Sequence, residues 1–209
     1  MTVEEIIKEF NADLPQVVAI SDAKQPKVDK IVRKAAHYPV YLHSFVKTKR
    51  GNDWLILFEA KSKKNVGMNC LMTLVSILNM KDGRYAIMWS TVFGRPQFIM
   101  FTPHFFSRFA QRVGIELTGM ELIQRYFKLN ASYGFNTRKE IVGEMMKTNI
   151  YGSTVEGVAL GVQLYTESNV ILFRTFITYE MTKGEQIEAF AQAEEIRREM
   201  HEETISIKQ

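Results

Sequence analysis

Polar and apolar residues alternate at two different periods along this chain, and the period changes near residue 40. Residues 2–12 carry apolar side chains every three or four positions, which is the spacing of one helical stripe. A second apolar stripe runs over residues 27–37 and stops before Pro39, because the residue ahead of a proline resists the helical region. The pattern therefore predicts two short amphipathic helices in this part of the chain.

Between residues 40 and 102 the sequence consists of short β-rich runs separated by turn residues. Asp82-Gly83 is a strong signal for a two-residue hairpin turn. We expect an antiparallel meander whose strands are VYLHSFVKT, DWLILFEAK, CLMTLVSIL, YAIMWSTVF and QFIMFT. The third run is also compatible with a buried helix, because a continuous apolar run has no distinctive period.

Residues 97–130 predict a strand, a sharply marked helix start and two short helices joined by a glycine-containing turn. Thr102 is suited to cap the first helix and Pro103 to be its first residue. At about 100° per residue, His104, Arg108 and Arg112 gather on one side of that helix, and three phenylalanines gather on the other. One side should pack against the protein, and the other should present an imidazole and two guanidinium groups.

The last third of the chain predicts a return to strands. Thr137 and Glu140 form a T-x-x-E pattern that favours a short helix over residues 136–147. Strands then follow in NIYGST, GVALGVQLY and NVILFRTFIT, with residues 167–169 as a hairpin loop. A second capping pattern at residues 182–185 predicts a long acidic helix that ends near residue 203.

The predicted fold class is α+β, with an antiparallel meander in the N-terminal half, then a helix pair, an antiparallel sheet and a C-terminal helix. A content of 46% hydrophobic and 11% aromatic residues is ample for a buried core and argues against a mainly disordered chain. We divide the chain into residues 1–96 and 97–209. The first part either folds separately or packs as one unit with the second.

The net charge of +4 is unevenly distributed. Residues 1–96 carry 15 Lys+Arg against 9 Asp+Glu, whereas residues 97–209 carry 12 against 14. The basic clusters at 47–50 and 61–64 suit an edge that faces a polyanion, and Lys49 and Arg50 are candidate substrate-binding residues. Solvated strand ends that prevent edge-to-edge aggregation explain the same clusters equally simply.

The sequence favours a soluble, cytoplasmic protein that does not enter a membrane. Cys70 is the single cysteine, so an intramolecular disulfide is impossible. The N-terminus is acidic and amphipathic, unlike a cleaved export signal, and no apolar run approaches the roughly 20 residues of a membrane helix.

The sharpest chemical feature is the spacing of His104, Arg108 and Arg112 over successive turns of one helix. Phosphodiester chemistry needs a proton-transfer group that titrates near neutral pH and fixed positive charge near the phosphate, and these side chains supply both. The competing interpretation is a solvated polar face on which the arginines pair with acids such as Glu116 or Glu121.

Arg174 lies in the otherwise apolar run VILFRTFIT, where burial is expected. Because an unpaired buried charge costs several kcal/mol, we expect either a carboxylate partner such as Glu144 or Glu180, or a polar cleft shared with His104. Both interpretations stay open.

Several familiar active-site motifs are missing from the sequence. It has no His-x3-His or Cys-x2-Cys spacing for a metal, no phosphate-binding glycine loop and no serine nucleophile elbow. We therefore predict neither a metal nor a cofactor.

Residues 98–179 resemble the RelE-like, or barnase–colicin–RelE, group of small nucleases. The resemblance rests on FTPHFFSRFAQRVGI, on the second helix GMELIQRYF, and on the strands GVALGVQLY and NVILFRTFIT. It implies metal-independent RNA cleavage in which the ribose 2′-hydroxyl is the internal nucleophile. Residues 1–96 have no counterpart in that group and are expected to form a second lobe, an RNA-binding platform or a neutralising module.

The resemblance also implies roles for individual residues. His104 would be the general acid or base, and Arg108, Arg112 and Arg174 would bind phosphate or stabilise its transition state. Thr178 or Tyr179 would assist. The expected partners are RNA and either a protein partner or a neutralising protein, and no membrane partner is expected. The competing functions are a noncatalytic interaction or scaffold module, and nucleic-acid binding without catalysis.

Overall fold

The computed structural model describes residues 1–67, 70–92, 94–143 and 145–181. Nine strands form one sheet in the order β1-β2-β3-β4-β5-β9-β8-β7-β6. Neighbouring strands are antiparallel except β5 and β9, which are parallel. The strands are β1 (Val40–Lys47), β2 (Asp53–Ala60), β3 (Leu71–Met80), β4 (Gly83–Val92), β5 (Arg95–Phe101), β6 (Gly134–Val142), β7 (Met145–Ser153), β8 (Val158–Leu164) and β9 (Val170–Ile177).

The meander predicted between residues 40 and 102 is confirmed as β1 to β5, and its ambiguous third run is the strand β3. The predicted helix pair is also present, as α2 (Pro103–Val113) and α3 (Gly119–Asn130). The protein is therefore a mixed helix and sheet structure, and its single sheet runs through both halves of the sequence. The helix predicted from residue 182 lies outside the described residues.

The N-terminal region forms one long helix, α1 (Val3–Lys34), so the prediction of two short helices was wrong. Thr2 and Glu5 form a reciprocal capping box at its start. The buried stripe continues through Val17 and Val28, which joins the two predicted segments. Pro15 and Pro26 are tolerated because both are exposed, where carbonyl groups that lose a helical partner can bind water.

The strands β6 (Gly134–Val142) and β7 (Met145–Ser153) pair as a hairpin where a helix was predicted. Thr137, the expected cap, lies opposite Ile150 in the ladder. Gly143 makes the turn with φ of 64°, a conformation that glycine adopts without strain. Pairing of β7 with β8 and burial of Phe135 and Ile150 outweigh the local capping pattern, which is worth only about 1 kcal/mol.

Helices cover both faces of the sheet. α1 packs on one face over a core that includes Phe10, Trp54 and Val170. α2 and α3 pack on the other face over a cluster rich in aromatic rings, centred on Phe101. Within the described residues, no helix is both long and apolar enough to cross a membrane.

Three polar side chains fasten α3 to the turn between β7 and β8. The Arg125 guanidinium donates two hydrogen bonds to the Glu156 carboxylate, at 2.9 and 2.6 Å. Asn130, which is fully buried, donates to the same carboxylate at 2.6 Å and accepts from the Glu156 backbone N–H at 3.1 Å. Burial raises the pKa of Glu156, but the hydrogen bonds from Arg125 and Asn130 outweigh it and leave that pKa below its ordinary value.

We expect Glu156→Gln to lower the free energy of unfolding by about 2 kcal/mol near pH 7, less than for a fully buried pair because both side chains keep some contact with water. A carboxylate whose folded pKa is depressed contributes its full stability above its unfolded pKa and loses it as the pH falls through the folded value. The difference between wild type and variant should therefore shrink below the ordinary value of 4.5.

Urea unfolding of both proteins across that pH window measures the difference. Glu167→Gln, a change at an exposed site in the β8–β9 turn, serves as the control and should leave stability unchanged at every pH. A difference for Glu156→Gln that stays constant into acid would contradict the assignment.

Candidate functional site

The start of α2 is held between β9 and the β3–β4 turn. The Thr102 side chain caps the helix by accepting from the Phe105 N–H at 3.2 Å, as predicted. The Thr102 N–H donates to the Phe173 carbonyl of β9 at 3.1 Å. On the other side, Gly83 approaches Pro103 so closely that an added Cβ would lie 2.8 Å from the Pro103 Cβ. These contacts fix the first turn of the helix in position.

His104 and Arg108 form a hydrogen-bonded pair on the outer side of this first turn. The Arg108 Nε donates to the His104 Nε2 at 3.3 Å, and the Arg108 Nη1 donates to Gln111 at 2.8 Å. Nε2 is thus the His104 ring nitrogen that faces Arg108, and Nδ1 takes no part in this bond. His104 is exposed and Arg108 is half-buried, so both can be reached from solvent.

No carboxylate neutralises this pair among the residues that the structure describes. Glu116 and Glu121, the acids considered from the sequence, form no ion pair with Arg108 or Arg112. The first turn of α2 contains no acidic residue, so the partial positive charge of the helix N-terminus adds to the cationic side chains. The start of α2 is therefore a place where an anion is favoured.

Arg112 joins α2 to β9. Its Nη1 donates to the Phe176 carbonyl and to the Thr175 Oγ1, the second bond at 3.2 Å. Burial, and next the neighbouring charge of Arg108, lower the pKa of Arg112, although a guanidinium remains protonated at physiological pH. Arg112 therefore has a structural role, since it holds α2 against β9, in addition to the predicted role of binding phosphate.

Arg174 is exposed, so the prediction that it would be buried was wrong. Leu160 pairs with Thr175 and Gly161 with Phe173, which leaves Arg174 as the extra residue of a β-bulge. The bulge lets Phe173 and Phe176, three residues apart, enter the same core. Among the described residues Arg174 has no carboxylate partner; Glu180 forms no ion pair with it, and Glu144 lies outside the described part of the chain.

The bulge also brings the main chain of Arg174 next to the start of α2, since the preceding Phe173 carbonyl binds the Thr102 N–H. β5 and β9 run in parallel, with Phe101 paired to Phe173. The two predicted site segments, 102–112 and 174–178, are therefore neighbours in space.

Tyr179 and Thr178 lie just beyond β9, with Tyr179 starting a short 3-10 helix (Tyr179–Met181). The Tyr179 hydroxyl donates to the Thr154 carbonyl at 2.6 Å and lies 2.7 Å from the Ser153 Oγ. Thr178 is half-buried and its carbonyl accepts from the Met181 N–H. The hydroxyl of Tyr179 is thus engaged in holding the end of β9 against the β7–β8 turn.

Lys49 and Arg50 lie in the β1–β2 turn, apart from the His104 region. Arg50 pairs with Glu9 and Asp13 of α1, and the hydrogen bonds from Arg50 and Asn52 lower the pKa of Glu9. α1 covers the face of the sheet opposite to α2. β2 is also three strands from β5, about 14 Å at the usual strand spacing. The structure therefore gives Arg50 a structural ion pair rather than a place beside His104.

Sequence reasoning missed Arg84. A cavity of about 420 Å³ lies between α2 and α3, and Arg84, Ser107 and Glu116 are among its lining residues. Gly119 permits this arrangement, because an added Cβ would lie 2.8 Å from the Arg84 Nη1. Asp82-Gly83 signals only a hairpin turn, and nothing in the local sequence indicates that Arg84 would lie beside Gly119, 35 residues further on.

The described residues contain no group of three or more His, Cys, Asp or Glu side chains placed to hold a metal ion. The fold and the site define a mixed helix and sheet protein with a cationic, solvent-accessible helix start. Comparison with protein-family models, with curated proteins and with solved structures found no match to this chain.

Proposed function

We propose that this protein is a metal-independent nuclease directed at RNA, related in mechanism to the RelE-like toxins. The observation that carries the proposal is the accessible His104–Arg108 pair, which has no acidic partner among the described residues and lies at a helix start. Such a place attracts a phosphate and offers a base beside it.

The chemistry follows from the two side chains. The neutral His104 Nε2 takes the proton of the ribose 2′-hydroxyl as the 2′-oxygen bonds to phosphorus. The P–O5′ bond then breaks, the 5′-oxygen takes a proton from water, and the hydroxide that is left takes the proton from His104, which restores the base. Arg108 and the N-terminus of α2 stabilise the added negative charge of the phosphorane. The products are a 2′,3′-cyclic phosphate and a 5′-hydroxyl end.

Two further arginines extend this cationic surface. Arg174 is exposed on the β-bulge, and the preceding residue, Phe173, accepts a hydrogen bond from the Thr102 N–H at the start of α2. Arg174 is therefore suited to bind a phosphate that flanks the cleaved one. Arg84 lines the groove on the other side of α2. In this proposal Arg112 fixes the position of α2 against β9, and Tyr179 holds the end of β9 against the β7–β8 turn.

Nucleic-acid binding without cleavage is the second candidate. The hydrogen bond from Arg108 occupies the Nε2 lone pair that a general base would use, and this favours a site that only binds. Substrate binding that draws Arg108 towards a phosphate would free the His104 Nε2. Cleavage therefore requires the Arg108–His104 hydrogen bond to break when RNA binds, whereas binding alone does not.

The test is incubation of purified protein with mixed RNA in the presence of a chelator. We expect wild type to cleave, and His104→Ala and Arg108→Ala to lose at least about a hundredfold in rate with unchanged melting temperature. Arg174→Ala should mainly weaken binding. Lys30→Ala, an exposed cation on α1, is the matched control and should cleave like wild type.

Mapping of the product ends checks the mechanism, since a metal-dependent nuclease would not leave 2′,3′-cyclic phosphates in chelator. Contaminating metal-independent ribonucleases leave the same ends, so the identically purified His104→Ala variant is the control for contamination. RNA binding that weakens steeply with salt, without cleavage by wild type, would support the second candidate. Neither cleavage nor binding would reject both.

A further inference from the structure

The sheet opens into a fork between β3 and β4. Their pairing runs from Met80↔Gly83 to Ser76↔Ile87 and stops there. Continued in register, Val75 would lie opposite Met88. Within the described part of the chain, however, β3 over residues 71–75 pairs with β2 alone, and β4 over residues 88–92 pairs with β5 alone. Two strand segments of five residues, each about 16 Å long, therefore face each other without a ladder.

A cavity of about 580 Å³ fills this fork. It passes between the two faces of the sheet, because its lining residues come both from α1 (Leu14, Val18) and from the other face (Tyr133, Phe135). The large apolar side chains at its opening are unusually exposed: Trp89 is 53% exposed, Leu71 47% and Met72 37%. Apolar side chains gathered at one opening indicate a surface that is covered in use.

The opening of the fork is basic. Lys63 and Lys64 lie on the turn that follows β2, and Arg95 is the residue paired with Val92 at the end of β4. All three side chains are exposed. Two carboxylates lie near this end of β3: Glu59, which pairs with Leu71 and whose pKa is raised by burial, and Asp29 of α1, which accepts from the Gly67 N–H at 2.8 Å. Both are only partly exposed, unlike the three cations. The charge of the opening is therefore complementary to an acidic partner.

We propose that this fork binds an extended, acidic peptide segment of a partner protein as an added strand between β3 and β4. A strand offers alternating N–H and C=O groups to both open edges, and it places alternate side chains above and below the sheet. Apolar side chains enter the cavity beside Trp89 and Met72, and acidic side chains reach Lys63, Lys64 and Arg95. A nucleic acid would satisfy the basic opening but has no backbone N–H groups to pair with the strand edges.

This binding site is independent of the proposed nuclease site. α2 begins after the C-terminal end of β5, whereas the fork opens toward the N-terminal end of β5, at Arg95. A peptide in the fork is therefore expected to leave RNA cleavage intact.

The experiment titrates the full chain into a fluorescein-labelled peptide, Asp-Val-Glu-Phe-Asp-Ile-Glu, and follows anisotropy. The matched probe carries backbone N-methyl groups on alternate residues, which remove the donors that a strand needs. We expect the first peptide to bind with a Kd below about 1 mM and the second to bind at least tenfold more weakly. Amide hydrogen exchange should slow in residues 71–75 and 88–92 and remain unchanged in β1, whose outer edge is also open.

Two sets of variants test the contacts. Trp89→Asp should weaken binding at least about tenfold, whereas Ile31→Asp, an equivalent change at an exposed site on α1, should not. The double change Lys63→Glu and Lys64→Glu should weaken binding of the acidic peptide and strengthen binding of a peptide in which lysine replaces each acidic residue. The control double change Lys30→Glu and Lys34→Glu should alter neither affinity. Lys63 and Lys64 lie outside the strands, so their variants still test the proposal if Trp89→Asp lowers the melting temperature too far for binding to be measured.

Absence of binding up to about 1 mM would overturn the proposal. Equal binding of the N-methylated peptide, or exchange protection confined to β1, would also overturn it. So would displacement of the peptide by single-stranded RNA together with insensitivity to Trp89→Asp, because the opening would then be a site for polyanions.

Discussion

Phe101→Ala is expected to lower the free energy of unfolding by about 3–5 kcal/mol, the usual range for removal of a buried aromatic ring. Phe101 is fully buried at the end of β5, immediately before the cap of α2. Its ring lies 5.1–6.2 Å from the rings of Phe105, Phe106, Tyr126, Phe127, Tyr133 and Phe173. These partners come from α2, α3, β9 and the segment before β6, so the cavity would open where the helices meet the sheet.

Urea unfolding followed by circular dichroism measures the effect. Phe45→Ala is the control, because Phe45 lies on the edge strand β1 with 38% of its surface exposed, and its loss should cost only about 1–2 kcal/mol. A loss below about 2 kcal/mol for Phe101→Ala would mean that the neighbouring rings collapse into the space, and that this cluster does not depend on one central ring.

The parts of the fold that the sequence predicted correctly are those with local signals. Thr102-Pro103 marks the start of α2 because the cap and the first turn involve only adjacent residues. Asp82-Gly83 likewise marks the turn between β3 and β4. In α1 the local signal was present but divided by prolines, which are usually taken as helix ends and here are accommodated on the exposed side.

The parts that were predicted wrongly depend on pairing between distant segments. Thr137 carries a capping pattern, yet its segment gains more from pairing with β7 than from a marginal helix. Arg174 should be buried if β9 alternates regularly, but the bulge opposite Gly161 moves it outward. A bulge is a property of two strands, so the sequence of one strand does not show it.

The candidate site was predicted in the same uneven way. His104 and Arg108 share one helix, so their contact follows from spacing alone. The contact of Arg112 with β9 and the approach of Arg84 to the groove beside α2 depend on how separate elements pack. Arg50 was a candidate on charge alone, and only the structure shows that carboxylates of α1 neutralise it.

The bulge therefore connects the fold to the site, and Gly161 is the residue that permits it. An added Cβ at Gly161 would lie 2.3 Å from the Leu172 carbonyl oxygen and 2.8 Å from the Phe173 ring. The first of these atoms belongs to the main chain of β9, which cannot move aside without breaking ladder hydrogen bonds. We expect Gly161→Ala to lower the free energy of unfolding by about 3 kcal/mol, at the upper end of the usual cost of overpacking.

A shift of β9 also moves the groups that depend on it, since the Phe173 carbonyl anchors the start of α2 and the next residue is Arg174. RNA cleavage should therefore fall in Gly161→Ala even at temperatures where the variant is folded. Gly143→Ala is the matched control. It places a side chain at φ of 64° with no described atom within 4 Å beyond the adjoining residues, so it should cost only about 1–2 kcal/mol and leave cleavage unchanged. If Gly161→Ala instead unfolds like wild type, β9 has enough freedom to absorb the methyl group, and the bulge does not fix the position of Arg174.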